Sequence, residues 1–368
     1  MLSPEREEKL RLLKRDFPLF ARSCLKIKTK DGGILPLALN AAQMHIHQEI
    51  ERQLRETGKV RAIILKGRQQ GASTYTEARF YWRTSMNTGK TAYILTHEDK
   101  ATQNIFSMAR RYHDLMPDPM RPATATANAN ELSFSARQSK YMVGTAGSRG
   151  TGRSSTVQYF HGSEMAFWPN AADHLAGVGQ AVPDLPGTEI ILESTANGIG
   201  NPFHSMWQDA IRGRGQYIGI FVPWFWQPEY TAEVRPEFAM TADEQDYADR
   251  YGLMPGQMAW RRHKITDDFR GDVALFDQEY PATQALAFRR STENSLIALA
   301  SVERAMETEA QPDGNAPRIM GVDPAEYGDD DTAIAVRSGR IVESIERHHG
   351  RGPMAVAGLV AARADRHQ

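Results

Sequence analysis

The residues best suited to chemistry stand at the ends of short apolar runs. Val60–Leu65 leads into Lys66-Gly67-Arg68-Gln69-Gln70-Gly71-Ala72-Ser73-Thr74, and a helix-like segment follows. Glycines in such a loop let backbone N–H groups close around an anion at a helix N-terminus. A polyphosphate also needs a cation, and its Mg2+ needs a hydroxyl. With Gly71 as the second glycine of the loop, Ser73 takes the hydroxyl position and Ala72 falls where a lysine ordinarily stands. Lys66 and Arg68, on the earlier arm, can supply the missing charge from the other side. The plainer alternative is a strand–helix turn with two solvated basic residues. The strand-loop-helix context is what favours a phosphate loop.

A second run, Val157-Gln158-Tyr159-Phe160-His161-Gly162-Ser163-Glu164, ends at a carboxylate. In phosphate-loop ATPases the corresponding strand brings a Mg2+-associated acid and a water-activating glutamate beside the γ-phosphate. Glu164 would polarise the water, and Ser163 holds the position usually given to aspartate. A serine adds no charge, so Mg2+ would lean on Ser73 and the phosphates. An ordinary acidic strand terminus is the alternative. His161 reads as structural, because no second His or Cys lies at metal spacing. A third run, Ile190-Ile191-Leu192-Glu193, ends in Ser194-Thr195-Ala196-Asn197-Gly198, whose hydroxyl and amide groups can sense a γ-phosphate or merely cap a turn. Ligands of open α/β sheets gather at strand carboxyl ends, so the order of the three tips outweighs any one of them.

The elements that must position these tips alternate. Residues 1–58 read as helical and largely polar, interrupted by a turn at Asp31-Gly32-Gly33, with a helix over 41–56. After Val60–Leu65 the pattern predicts a helix at 74–86, a strand at Ala92–Leu95 and a helix at 98–115, closed by Pro117, Pro119 and Pro122. Val157–Phe160, Glu189–Leu192 and Tyr217–Val222 read as further strands. Repeated β-then-α order implies an α/β fold with a mostly parallel sheet covered by helices. Residues 224–290 are aromatic and proline-bearing, as in a helical subdomain. Residues 309–317 have linker composition, and Arg318–Val322 starts a fresh alternating run.

Composition sets the limits. The 368 residues suit two or three domains. Lys plus Arg total 44 and Asp plus Glu 45, which excludes a uniformly basic nucleic-acid coat but not a local basic patch. With Cys24 alone, neither an intrachain disulfide nor a cysteine-rich zinc site can form. The charged N-terminus is unlike a secretory signal, and no apolar stretch has the length of a membrane span.

Taken together, the motifs resemble those of the large terminase subunit of tailed bacteriophages, the motor that packages DNA into proheads. KGRQQGAST is similar to the divergent Walker A of that family, HGSEMAFWPN to its Walker B and ESTANG to its coupling motif. FDQEYPATQALAF resembles the segment that ends its ATPase domain, and MGVDPAEYGDDDTAIAV the first strand of its RNase H-like nuclease.

The resemblance spans about residues 40–368. It implies a P-loop NTPase fold of the ASCE type, with flanking helices and a small helical subdomain, followed by the start of an RNase H-like α/β domain. The implied organisation is an N-terminal helical segment (1–40), an ATPase domain (41–290, with the subdomain at about 224–290), a linker region (291–317) and an incomplete nuclease domain (318–368).

It further implies that Gln43 reads adenine and that Lys66, Gly67, Arg68, Gln69, Gln70, Gly71, Ala72, Ser73 and Thr74 form the nucleotide cradle. Ser73 and Ser163 would attend Mg2+, with Glu164 as the catalytic carboxylate. Ser194, Thr195 and Asn197 would couple hydrolysis to motion. Arg149 or Arg153, in a Gly/Ser/Arg-rich loop, would serve as an arginine finger; a DNA-phosphate contact or a solvated arginine is the alternative. Asp323 would be a ligand for a divalent metal at the nuclease site, with most of the family's remaining acids beyond Gln368. The chain as given is therefore expected to lack most of that nuclease.

The implied activity is ATP hydrolysis coupled to translocation of double-stranded viral DNA, in a homo-oligomeric ring on the prohead. Its partners would be a small terminase subunit and the portal protein, in the host cytoplasm and without a membrane. Two other readings stay open: a helicase-like or repair ATPase, and a DNA-binding assembly protein with a degenerate, non-hydrolysing nucleotide site.

Overall fold

The computed structural model describes residues 4–146, 156–288, 305, 316–325 and 331–365. The chain divides into two compact units, Met1–Asn294 and Ser295–Gln368.

The first unit opens with α1 (Pro4–Arg15) and α2 (Phe17–Cys24), then a hairpin of β1 (Lys26–Lys28) and β2 (Ile34–Pro36). The Asp31-Gly32-Gly33 turn thus joins two strands rather than two helices; Gly32 takes the left-handed φ of 92° that closes it. Next comes α3 (Ala41–Thr57). It is started by a reciprocal capping box between Asn40 and Gln43 and stopped by Gly58 at φ 76°.

The alternating core follows: β3 (Val60–Lys66), α4 (Ala72–Met86), β4 (Thr91–Thr96) and α5 (Asp99–Asp114). The short strands β5 (Thr126–Ala127), β6 (Glu131–Phe134) and β7 (Ser139–Thr145) lead to β8 (Tyr159–Ser163), α6 (Ala171–Ala181), β9 (Glu189–Ser194), α7 (Pro202–Ile211) and β10 (Ile218–Val222). The eight strands β3–β10 form one sheet in the order β10-β3-β9-β8-β4-β7-β6-β5. Neighbours from β10 to β7 run parallel, and only β6 and β5 are antiparallel. The β5–β7 edge is absent from the sequence reading because its strands are short and partly polar.

Side-chain alternation assigns each strand two faces. Ala62, Ile64, Tyr159 and Ile191 join the core beneath α3, α4 and α5, whereas Ile63, Leu65, Phe160, Ile190 and Leu192 join the one beneath α6 and α7. Hence Lys66, His161, Ser163, Glu189 and Glu193 share the face that meets α4. A third cluster gathers α8 (Ala242–Tyr251), α9 (Pro255–His263), α10 (Val273–Glu279) and α11 (Gln284–Ala287) around Trp224, Met258 and Phe276. Trp224 is wholly buried there, stacked on Trp260, so the aromatic Trp224-Phe225-Trp226 run is anchored in a core.

The second unit holds β11 (Arg318–Asp323), β12 (Asp331–Ser338) and β13 (Ile341–His349) in an antiparallel meander, followed by α12 (Pro353–Asp365). Among the described residues, no helix is long and apolar enough to cross a membrane.

Candidate functional site

Three parallel strands, β3, β9 and β8, end side by side, and the N-terminus of α4 faces them. The turn between β3 and α4 uses two left-handed residues, Gln69 (φ 53°) and Gly71 (φ 82°). Its carbonyls are held from outside. Tyr230 Oη donates to Arg68 O at 2.7 Å, Gln227 Nε2 to Gln69 O at 3.4 Å, and Asn40 Nδ2 to Gln70 O at 3.3 Å. In a trans peptide the N–H points opposite to the C=O. The N–H groups of Gln69, Gln70 and Gly71 therefore face away from these anchors, as an anion cradle requires.

The remaining loop side chains sort into two sets. Gln70 is buried and donates to Trp224 O at 3.0 Å. Gln43 has both amide ends engaged: Oε1 accepts from Asn40 N at 3.0 Å, and Nε2 donates to Gly71 O at 2.9 Å. Gly67 lies against Trp224, and Ala72 is buried at the first turn of α4. Thr74 faces away from the strand tips, its hydroxyl 4.0 Å from Met108 Sδ. Arg68 is bound by the Glu279 carboxylate, and its N–H donates to Glu279 O. Only Lys66 and Ser73 of this stretch reach the strand tips.

There they meet the acids. Lys66 Nζ is 2.8 Å from Glu164 Oε1 and 3.1 Å from Glu193 Oε2. Burial alone would lower the Lys66 ammonium, but the two carboxylates outweigh it and hold it above its ordinary value. Ser73 Oγ donates to Glu193 Oε1 at 2.7 Å, and Ser163 Oγ donates to the same oxygen at 2.9 Å. Burial opposes ionisation of Glu193, yet Lys66 and His161 keep its carboxyl well below the usual range. His161 lies between Glu193 (3.6 Å) and the buried Glu77, which also accepts from Tyr141 Oη. Burial disfavours the imidazolium, but these carboxylates prevail and push His161 up to about 9. The result is an alternating row of charge: Glu77, His161, Glu193, Lys66, Glu164.

Glu164 itself sits just past β8 in a left-handed conformation (φ 51°), a backbone that non-glycine residues rarely adopt and that clusters at functional sites. Its second oxygen, Oε2, accepts from Ser194 Oγ at 3.3 Å and from Thr195 N at 3.4 Å. Asn197 Nδ2 ties the same segment to Ala166 O at 3.0 Å. The structure thus brings Lys66, Ser73, Ser163, Glu164, Ser194 and Thr195 into one cluster.

Other sequence candidates are not in it. Arg149 and Arg153 lie outside the described residues. Asp323 ends β11, exposed. Among the described residues no group of three His, Cys, Asp or Glu side chains gathers as a metal cluster. Arg261 is buried over the Tyr247 ring, and Arg262 pairs with Glu244.

No protein-family model matches the chain. Among solved structures, the large terminase of bacteriophage HK97 superposes with a TM-score of 0.53 at 15% identity, over 88% of this chain. This chain has the large terminase fold. It spans 64% of the length of the HK97 large terminase. The large terminase ATPase domain of Thermus phage P74-26 is 17% identical with a TM-score of 0.41, covering 66% of this chain and 92% of that one. The large terminase of a further, thermophilic bacteriophage, in complex with ATP-gamma-S, is 9% identical with a TM-score of 0.42, covering 89% and 74%.

Within this terminase fold, the sequence reading missed Glu193 and Glu77, while His161, read as structural, is buried between them. A signal for Glu193 was present. Glu189 and Glu193 recur on one face of a strand that is otherwise apolar, and a charge there needs a buried partner.

Proposed function

We propose that this chain is an ATP-hydrolysing motor subunit of the large terminase kind, moving double-stranded DNA. The observation that carries the reading is the meeting of Lys66, Ser73 and Glu164 at the carboxyl ends of β3 and β8, beneath a loop whose N–H groups face one way. Its support is the pairing of a phosphate cradle with a strained carboxylate that Ser194 and Thr195 hold in place.

In this reading the amides of Gln69, Gln70 and Gly71 and the Lys66 ammonium take the β- and γ-phosphates. Glu164 orients a water for in-line attack and takes up its proton, so positioning and charge carry most of the rate. Oxygen donors suit a hard cation, and the Ser73 hydroxyl beside a carboxylate fits Mg2+. Bound with the nucleotide, Mg2+ would neutralise charge developing on the phosphates. Ser194 and Thr195, already on Glu164, would pass the state of the site to the chain beyond β9.

A packaging role adds viral DNA, a small terminase subunit, a portal protein and a ring of like subunits as partners, in the host cytoplasm and at the prohead. An arginine finger from 149 or 153 belongs to the same reading, as does a nuclease role for the second unit, with Asp323 as one of its ligands. A non-hydrolysing nucleotide site is the second reading, favoured by the engagement of Lys66 with two carboxylates. Steady-state ATP hydrolysis by the wild type and by Glu164→Gln, with and without duplex DNA, separates them. DNA-stimulated turnover that Glu164→Gln abolishes is expected. Equal, DNA-independent background in both proteins overturns the motor.

A further inference from the structure

Ser163 leaves the Mg2+ position without its own charge, and the neighbouring strand offers one. Ser163 and Glu193 are registered partners on β8 and β9, so their side chains leave the same face of the sheet side by side. Glu193 is wholly buried, and its Oε1 is the common acceptor of Ser73 Oγ (2.7 Å) and Ser163 Oγ (2.9 Å). From this geometry we propose that Glu193 supplies the carboxylate of the Mg2+ site, displaced by one strand from where Ser163 stands. The proposal rests on the ATP reading above and deepens it.

A counter-ion role toward Lys66 alone does not account for the arrangement. Lys66 already has Glu164 at 2.8 Å and reaches Glu193 through the other oxygen, Oε2. Oε1 is instead bound to the hydroxyl of the phosphate loop. Glu189 shows what a purely structural acid looks like on the same strand and face: both of its oxygens are taken by Arg79, with Arg83 beside them. Glu193 also faces cations, Lys66 at 3.1 Å and His161 at 3.6 Å, but the nearest partners of its Oε1 are two serine hydroxyls, which can yield that oxygen to a divalent ion. Glu193 is thus a positioning residue for the metal–nucleotide complex.

The test is the ratio of ATP-γ-S affinities measured by calorimetry in Mg2+ and in EDTA. Wild type is expected to bind more tightly with Mg2+. Glu193→Gln is expected to lose that stimulation by about tenfold, with its affinity in EDTA little changed. The double variant S163D/E193Q moves the carboxylate back to β8 and is expected to recover the Mg2+ stimulation. A folded E193Q protein with wild-type stimulation overturns the proposal. If E193Q alone fails to fold, the double variant decides: restored stimulation supports the proposal, and a folded double variant without it overturns it. Wild type that binds no nucleotide in either buffer overturns the ATP reading itself, a separate outcome.

Discussion

Lys66 and Glu164 are ion-paired at 2.8 Å although they are 98 positions apart in the chain and their strands are not neighbours in the sheet. In the proposed ATPase reading, an incoming γ-phosphate takes Lys66 from this pair and leaves Glu164 to a water. The two residues should therefore fail differently. Lys66→Met is expected to weaken ATP-γ-S binding by about tenfold or more. Glu164→Gln is expected to keep that affinity while losing turnover by about 10²–10⁴-fold. Calorimetric titration beside steady-state hydrolysis reads both, and a parallel loss of affinity in the two variants contradicts the assignment.

Gly71 is constrained twice. Its φ of 82° disfavours a side chain, and a Cβ there would stand 2.6 Å from Gln43 Nε2. Gly89 has a similar φ of 68° with nothing within 4 Å. Alanine at either position carries the left-handed cost of about 1–2 kcal/mol. Gly71→Ala should cost about 1 kcal/mol more, for the lost Gln43 bond. Urea unfolding of the two variants checks the difference, and nucleotide affinity should fall in Gly71→Ala alone.

The Arg79–Glu189 pair is wholly buried and holds α4 against β9. Neutralising Glu189 takes a carboxylate from both Arg79 and Arg83 and leaves Arg79 only Glu51, at 2.6 Å, so Glu189→Gln should destabilise the protein by roughly 3 kcal/mol, the low end for a broken buried pair. Chemical denaturation reads this directly. A loss under about 1 kcal/mol would mean the arginine finds water or another acid.

His47, hydrogen-bonded to Tyr75 at 3.1 Å, gives a pH dependence. Burial, and then the nearby Arg79 cation, lower its imidazole from 6.5 to about 4. Between those values the unfolded chain binds a proton that the folded protein refuses. Stability therefore falls as pH drops through that window. Unfolding curves at a series of pH values should show the slope in wild type and a flatter one in His47→Gln.

The parallel sheet was legible because its strands are bounded apolar runs, and the phosphate loop because glycine spacing is local. Val60–Leu65 lies within β3, and the 74–86 helix within α4. The run from Val157 to Glu164 contains β8, although its apolar part, Val157–Phe160, stops short of His161, Gly162 and Ser163. These three less apolar residues are buried too, among β4, β9 and the Trp168 side chain. The β1–β2 hairpin and the β5–β7 edge escaped notice since such short strands take their stability from neighbours rather than from local pattern. Glu193 escaped for a related reason. Its role exists only between strands, at a lateral pairing that no spacing along the chain encodes.

The placement of β9 has a geometric consequence. Adjacent strands lie about 4.8 Å apart, so the intervening strand sets the β3 and β8 axes roughly 10 Å from each other. Lys66 and Glu164 bridge that interval only by leaning together over the tip of β9. In the proposed reading their contact is a removable strut: a guest seated on the loop would spread it, and Ser194 at the end of the spacer strand and Thr195 just past it would register the spreading first.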